Sequence, residues 1–131
     1  MWPAAGPICL LVEDEAVIAF TLEDELRAAG YTVLGPFSIC DDALLGLAAH
    51  PEVAVIDVVL KDGRCTELAR ELKTRGIPFI VFSGHERQHE TAPEFADVPW
   101  ITKPAPTSFI LEALNSVSAG LERQLDPGKQ Q

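Results

Sequence analysis

The run Val53-Ala54-Val55-Ile56, followed at once by Asp57, constrains this chain more than any other stretch. A short, uninterrupted apolar run rich in β-branched residues reads as a strand buried on both faces. Such strands belong to parallel sheets with helices packed above and below. In an open sheet of that kind, ligands sit just beyond the carboxyl ends of the strands. Asp57 is therefore either a cap for the following turn or a site residue, and the other strand ends decide between the two.

Ile8-Cys9-Leu10-Leu11-Val12 repeats the pattern and runs into Glu13-Asp14-Glu15. Ala19, Leu22, Leu26 and Ala29 then recur at helical spacing, with Gly30 to stop the helix and the early acids suited to its positive end. Tyr31 to Phe37 reads as a strand interrupted by Gly35-Pro36. Asp41-Asp42 open a second helix, with Ala43, Leu44 and Leu47 facing inward until His50-Pro51 ends it. After Asp57 come the loop Lys61-Asp62-Gly63 and a helix over 65–74 that buries Leu68 and Leu72, with Gly76 past its end. Phe79-Ile80-Val81-Phe82 is the next strand and runs into Ser83-Gly84. The polar stretch from His85 to Glu94 contains Pro93 and predicts a short, mobile helix. Val98 to Thr102 forms a fifth strand, cut off by Lys103-Pro104. Ile110, Ala113, Leu114, Val117 and Leu121 mark a final amphipathic helix. Five alternations of strand and helix with short connections predict an α/β fold, a single doubly wound sheet of five parallel strands with helices on both faces. The domain is expected over residues 7–122, with 1–6 and 123–131 as loose termini and no output domain attached.

At 131 residues, 47% of them hydrophobic, the chain suits one domain with a substantial core. Its net charge of −10 argues against a module that grips nucleic acid by its phosphates, and against docking on an anionic membrane. It suits basic partners or a site that needs a cation. No apolar run is long enough to span a bilayer, and Met1-Trp2-Pro3 lacks the basic start of a signal peptide, so a cytoplasmic protein is expected. Cys9, Cys40 and Cys65 show no CxxC spacing and are odd in number, which predicts three reduced thiols and no zinc site. His85 and His89 stand one helical turn apart, a spacing that permits a metal, but their segment is polar and poorly patterned.

Four strands end, in order, with Glu13-Asp14, Asp57, Ser83 and Lys103. In a parallel sheet all four ends share one edge, which gathers carboxylates, a hydroxyl and an ammonium in one shallow crevice. Clustered carboxylates repel one another and call for a cation at neutral pH. Oxygen ligands of this hardness suit Mg²⁺. Beside such an ion, the Asp57 carboxylate has the chemistry to attack a phosphoryl group in line and become an acyl phosphate. Ser83 can donate a hydrogen bond to a phosphoryl oxygen, and Lys103 can pair with another. Taken singly, each residue has an ordinary structural reading: a turn aspartate, the charged start of a helix (which is how Glu15 reads), a Ser-Gly turn and a surface lysine.

Together, the acid pair after the first strand, Asp57, Ser83-Gly84 and Lys103-Pro104 resemble the receiver domain of bacterial two-component response regulators. The likeness spans residues 7 to 122, nearly the whole chain. It implies the flavodoxin-like strand order 2-1-3-4-5. It implies that Asp57 accepts phosphate from a histidine kinase or phosphotransfer protein in a phosphorelay. Asp14, Asp57 and the Val59 carbonyl would bind Mg²⁺, with Glu13 contributing through water. Ser83 would be the switch hydroxyl, Lys103 the phosphate-pairing lysine and Trp100 the switch aromatic, and the bond before Pro104 would be cis. A downstream protein partner would read the change, and family analogy points to a homodimer through the last helix and fifth strand. Glu13 stands where aspartate is more usual, the loop after Asp57 is short and lacks a proline, and Ala105 replaces a common phenylalanine. The run Arg75-Gly76-Ile77-Pro78-Phe79 with Ser83-Gly84 resembles a subset of stand-alone receivers.

Such a domain is a signalling module rather than a turnover enzyme. A phosphatase of the haloacid dehalogenase type also uses a strand-end aspartate and Mg²⁺, but needs a second acid two positions on, where this chain has Val59. A flavodoxin-type module would need a hydroxyl- or glycine-rich loop where Glu13-Asp14-Glu15 stands. A degenerate receiver, acting as a constitutive interaction module, is the remaining alternative, and the complete Asp-Ser-Lys set argues against it.

Overall fold

A computed structural model describes residues 6–87 and 92–125. The elements are β1 (Ile8–Val12), α1 (Ala16–Ala28), β2 (Thr32–Phe37), α2 (Cys40–Gly46), β3 (Val53–Ile56), β4 (Val59–Leu60), β5 (Gly63–Arg64), α3 (Thr66–Thr74), β6 (Phe79–Ser83), β7 (Trp100–Thr102) and α4 (Thr107–Leu125). A 3-10 turn, Leu47–Ala49, continues α2, and another spans Pro93–Phe95.

Five strands form one parallel sheet in the order β2-β1-β3-β6-β7, the 2-1-3-4-5 arrangement of the flavodoxin-like fold. The alternation of side chains along each strand divides the core in two. Leu10, Val12, Ala54, Ile56, Phe79 and Val81 face α2 and α3, where they meet Ala43, Leu47, Leu68 and Leu72. Cys9, Leu11, Val53, Val55, Ile80 and Phe82 face α1 and α4 and pack on Leu22, Leu26, Ile110 and Leu114. Burial on both faces explains why the central strands carry no polar residue until their ends.

The structure departs from the sequence reading in several places. Glu13 to Glu15 precede α1, and its first turn carries no acid, because the helix starts only at Ala16. Ala29 is its exposed C-cap rather than a core residue. β2 runs straight through Gly35-Pro36, whose peptide bond is cis. Its pairing with β1 slips between Leu10 and Val12 to absorb the irregularity. An edge strand tolerates a proline that a central strand would not. The loop after Asp57 is a small antiparallel hairpin, β4 paired with β5. Among the described residues the β6–β7 connection contains no α-helix; 3-10 conformation occurs at Arg87 and over Pro93–Phe95, and the predicted helix's central residues, His89 among them, lie outside the described part. The expected loose termini likewise lie largely outside it, and α4 continues past residue 122 to Leu125.

The cysteines differ most. Cys40 and Cys65 form a disulfide with Cα atoms 5.5 Å apart, and Cys9 alone is a free thiol. Spacing could not reveal this, because α2 and the α3 N-cap are brought together by packing and not by sequence. Burial pushes the Cys9 thiol pKa up to about 12, so Cys9 is an apolar core residue.

Candidate functional site

Strand register assembles the site. Val12 pairs with Ile56, so the residues that follow, Glu13 and Asp57, emerge side by side. Ile56 pairs with Val81 and Ser83 with Thr102, which carries Ser83 and then Lys103 to the same edge. Backbone bonds finish the alignment: the Asp57 N–H donates to the Val12 carbonyl at 3.0 Å and the Lys103 N–H to the Ser83 carbonyl at 2.8 Å. The Lys103-Pro104 bond is cis.

Glu13, Asp57 and Ser83 are the buried polar or charged residues among those described, with 3%, 4% and 1% of their surface exposed. Buried polar groups must be partnered. The Lys103 ammonium lies 2.9 Å from Asp57 Oδ2, 2.8 Å from Glu13 Oε1 and 3.2 Å from Glu15 Oε1. It also stands 5.6 Å from the centre of the Phe82 ring. Glu13 Oε2 accepts the Glu15 N–H at 3.1 Å, and Asp57 Oδ1 accepts the Val59 N–H at 3.2 Å. Ser83 Oγ accepts the His85 N–H at 3.1 Å.

The electrostatics follow from this geometry. Burial pushes the Glu13 carboxyl above its ordinary pKa, against the pull of Lys103 and of the Glu15 amide, and the charge on Asp57 adds to the rise. Burial acts to depress the Lys103 pKa, but hydrogen bonds and charge from Glu13 and Asp57 outweigh it and raise the value. One ammonium thus answers several acids. Ligand oxygens of Glu13, Asp14 and Asp57 lie within 4.8 Å of one another, an all-oxygen set compatible with a hard divalent cation such as Mg²⁺. Asp14, Asp57, Val59, Leu60, Ser83 and His85 line an open crevice of about 470 Å³ above them.

The structure therefore brings Glu13, Asp14, Asp57, Ser83 and Lys103 to one edge. Trp100 stands at the start of β7, two residues short of that edge and half-buried. Its indole N–H donates to the His85 carbonyl at 2.9 Å, and its ring meets Phe95 edge-on at 5.8 Å. Glu15, read from sequence as the start of a helix, caps α1 and also pairs with Lys103. Its proximity to Glu13 in sequence is the only signal that could have found it.

Neither a family model nor a curated protein sequence matches the chain. Solved structures do. The BeF3-activated conformation of SdrG from Pseudomonas melonis Fr1 is 31% identical, with a TM-score of 0.69 over 85% of this chain and 95% of that one. The non-phosphorylated HemR receiver domain from Leptospira biflexa is 25% identical, with a TM-score of 0.72 over 86% and 94% of the two chains. A CheY-like response regulator receiver domain protein from Methanospirillum hungatei JF-1 is 22% identical, with a TM-score of 0.77 over 91% and 98%, and speaks for the fold. With its sheet order and its strand-end residues, this chain belongs to the receiver-domain family of response regulators.

Proposed function

We propose that this receiver accepts a phosphoryl group on Asp57 from a phosphohistidine on a histidine kinase or phosphotransfer protein. The observation that carries the reading is the Asp57 carboxylate itself. It is buried, held from one side by Lys103 at 2.9 Å, and opens on the other side into an acid-lined crevice. A carboxylate oxygen attacks phosphorus, the P–N bond to the donor histidine breaks, and the imidazole takes up a proton. Asp57 then carries an acyl phosphate.

Asp14, Asp57 and the Val59 carbonyl would hold Mg²⁺, whose charge would balance the acid cluster and the transferring phosphoryl oxygens. Glu13, whose carboxylate is turned toward Lys103, would reach the ion only through water. Lys103 is already oriented to pair with a phosphoryl oxygen on Asp57. Ser83 would donate its hydroxyl proton to another, and that movement would travel through the Ser83–His85 turn to Trp100, which hydrogen-bonds to His85. The BeF3-activated conformation of SdrG supports this reading, because BeF3 on a carboxylate has the shape and charge of a phosphoryl group.

Metal removal tests it. Intact mass after incubation with Mg²⁺ and acetyl phosphate should show one phosphoryl adduct, and excess chelator should prevent it. An unchanged mass in Mg²⁺, from acetyl phosphate and from phosphorylated kinases alike, would favour the constitutive interaction module.

The donor protein must cover the surface that borders Lys103. There α1 exposes Val17, with 79% of its surface open, and Val17 lines a groove of about 440 Å³ that runs between α1 and Pro104-Ala105 and reaches Lys103. Large exposed apolar side chains beside a reacting group mark a contact face. Val17→Asp should slow phosphoryl transfer from a kinase that labels the wild type by about tenfold, and leave uptake from acetyl phosphate unchanged. Equal slowing with both donors would place the defect in the site instead.

A further inference from the structure

The Cys40–Cys65 pair plays no part in phosphoryl transfer, yet it ties down the segment that carries Asp57. The bridge closes a stretch of chain with a sequence separation of 25 that contains β3, Asp57 and the β4–β5 hairpin. Its two ends are fastened to that hairpin. The Cys65 N–H donates to the Val58 carbonyl at 3.0 Å, and the Cys40 N–H donates to Asp62 Oδ2 at 3.2 Å. Val59, the next residue along, donates its N–H to Asp57 Oδ1. From the sulfur bridge to the Asp57 carboxylate the path is short: the backbone bond from Cys65 to Val58, and then the Val59 N–H on the carboxylate itself.

We propose that Cys40 and Cys65 are a reversible thiol–disulfide modification site whose state sets the order of the Asp57 loop. Both states fit the fold. The two side chains lie in a core already filled by Leu10, Ile56, Leu68 and Leu72, and a reduced cysteine there is a small apolar residue. The bridge is therefore not needed to create the core, unlike the disulfides of small domains that have none. Cys40 keeps 7% of its surface exposed whereas Cys65 keeps none, so Cys40 is the point of attack. The co-reactant is a small disulfide such as oxidised glutathione. The Cys40 thiolate attacks one of its sulfurs and expels a glutathione thiolate, which takes up the proton released. Cys65, losing its proton, then attacks the Cys40 sulfur of the mixed disulfide and expels the second glutathione. One S–S bond forms in the protein and one breaks in the reagent, so the protein loses two electrons and glutathione gains them. Cys9, fully buried in the opposite core layer and with a thiol that burial keeps protonated, takes no part.

The test poises the full chain in buffers of graded reduced-to-oxidised glutathione, alkylates it under native and denaturing conditions, and reads intact mass and amide hydrogen exchange. Cys40 and Cys65 should pass together between bridged and alkylatable forms. Reduction should accelerate exchange severalfold over residues 57–65 and leave β1 and α4 unchanged. Cys40→Ser should show the fast exchange in every buffer, and Cys9→Ser should behave as wild type. Neither readout requires phosphoryl uptake. Thiols that never bridge in oxidised buffer, a bridge that strong reductant alone removes, or exchange over 57–65 that ignores the bridge would each overturn the proposal.

Discussion

Asp57→Asn is expected to abolish phosphoryl uptake altogether and leave the fold intact. The amide has nearly the shape of the carboxylate, and its oxygen can still accept from Lys103 or from the Val59 N–H, the two donors that Asp57 satisfies. What disappears is the nucleophile, since an amide oxygen does not form a stable acyl phosphate. Stability should change by less than about 1 kcal/mol, because the lost attraction to Lys103 is offset by relief of repulsion from Glu13 and Asp14. Urea unfolding and intact mass after acetyl phosphate treatment check both halves. A labelled Asp57→Asn variant would move the acceptor elsewhere.

Lys103→Met should have the largest effect on stability. Its ammonium is within 3.2 Å of Glu13, Glu15 and Asp57, and its side chain is only 10% exposed. Removing one member of a buried ion pair leaves the other as an uncompensated charge. The crevice admits water, so the expected cost is about 2–4 kcal/mol rather than the top of the range for fully buried pairs. The pH dependence has a definite sign. Glu13 already has a raised pKa in the folded protein, and loss of Lys103 raises it further. The folded variant therefore binds its proton more tightly than the unfolded chain does. The penalty is complete above the folded pKa and recedes as pH falls through that value and Glu13 is neutralised. Millimolar Mg²⁺ should also recover part of the loss. Urea midpoints at neutral and acid pH, with and without Mg²⁺, measure this. A variant as stable as wild type at neutral pH would show that the acids are not held by Lys103.

The sheet and its functional edge were legible because they rest on short-range pattern. Val53 to Ile56, Ile8 to Val12 and Phe79 to Phe82 are apolar runs that end in polar residues, and parallel pairing converts those sequence ends into one spatial edge. Features that rest on contacts between distant or very short segments were not. β4 and β5 have two residues each, too few to show a period. The Cys40–Cys65 bridge depends on how α2 packs beside α3. Glu15 reads as the charged start of a helix, and only the reach of two long side chains brings it to Lys103. Between β6 and β7 Pro93 heads a single 3-10 turn, and the central residues of the helix expected there lie outside the described part. The bond from Trp100 to the His85 carbonyl, which joins β7 to the turn after Ser83, needed the fold to be seen.

The most direct measurement is chemical localisation of the phosphoryl group. Wild-type protein is incubated with Mg²⁺ and acetyl phosphate, reduced with borohydride and sequenced by tandem mass spectrometry. An acyl phosphate on Asp57 is reduced to the alcohol, so homoserine at position 57, absent when chelator is added, is the predicted result. Phosphate retained on a histidine or serine, or homoserine at Asp14 in place of Asp57, would contradict the account.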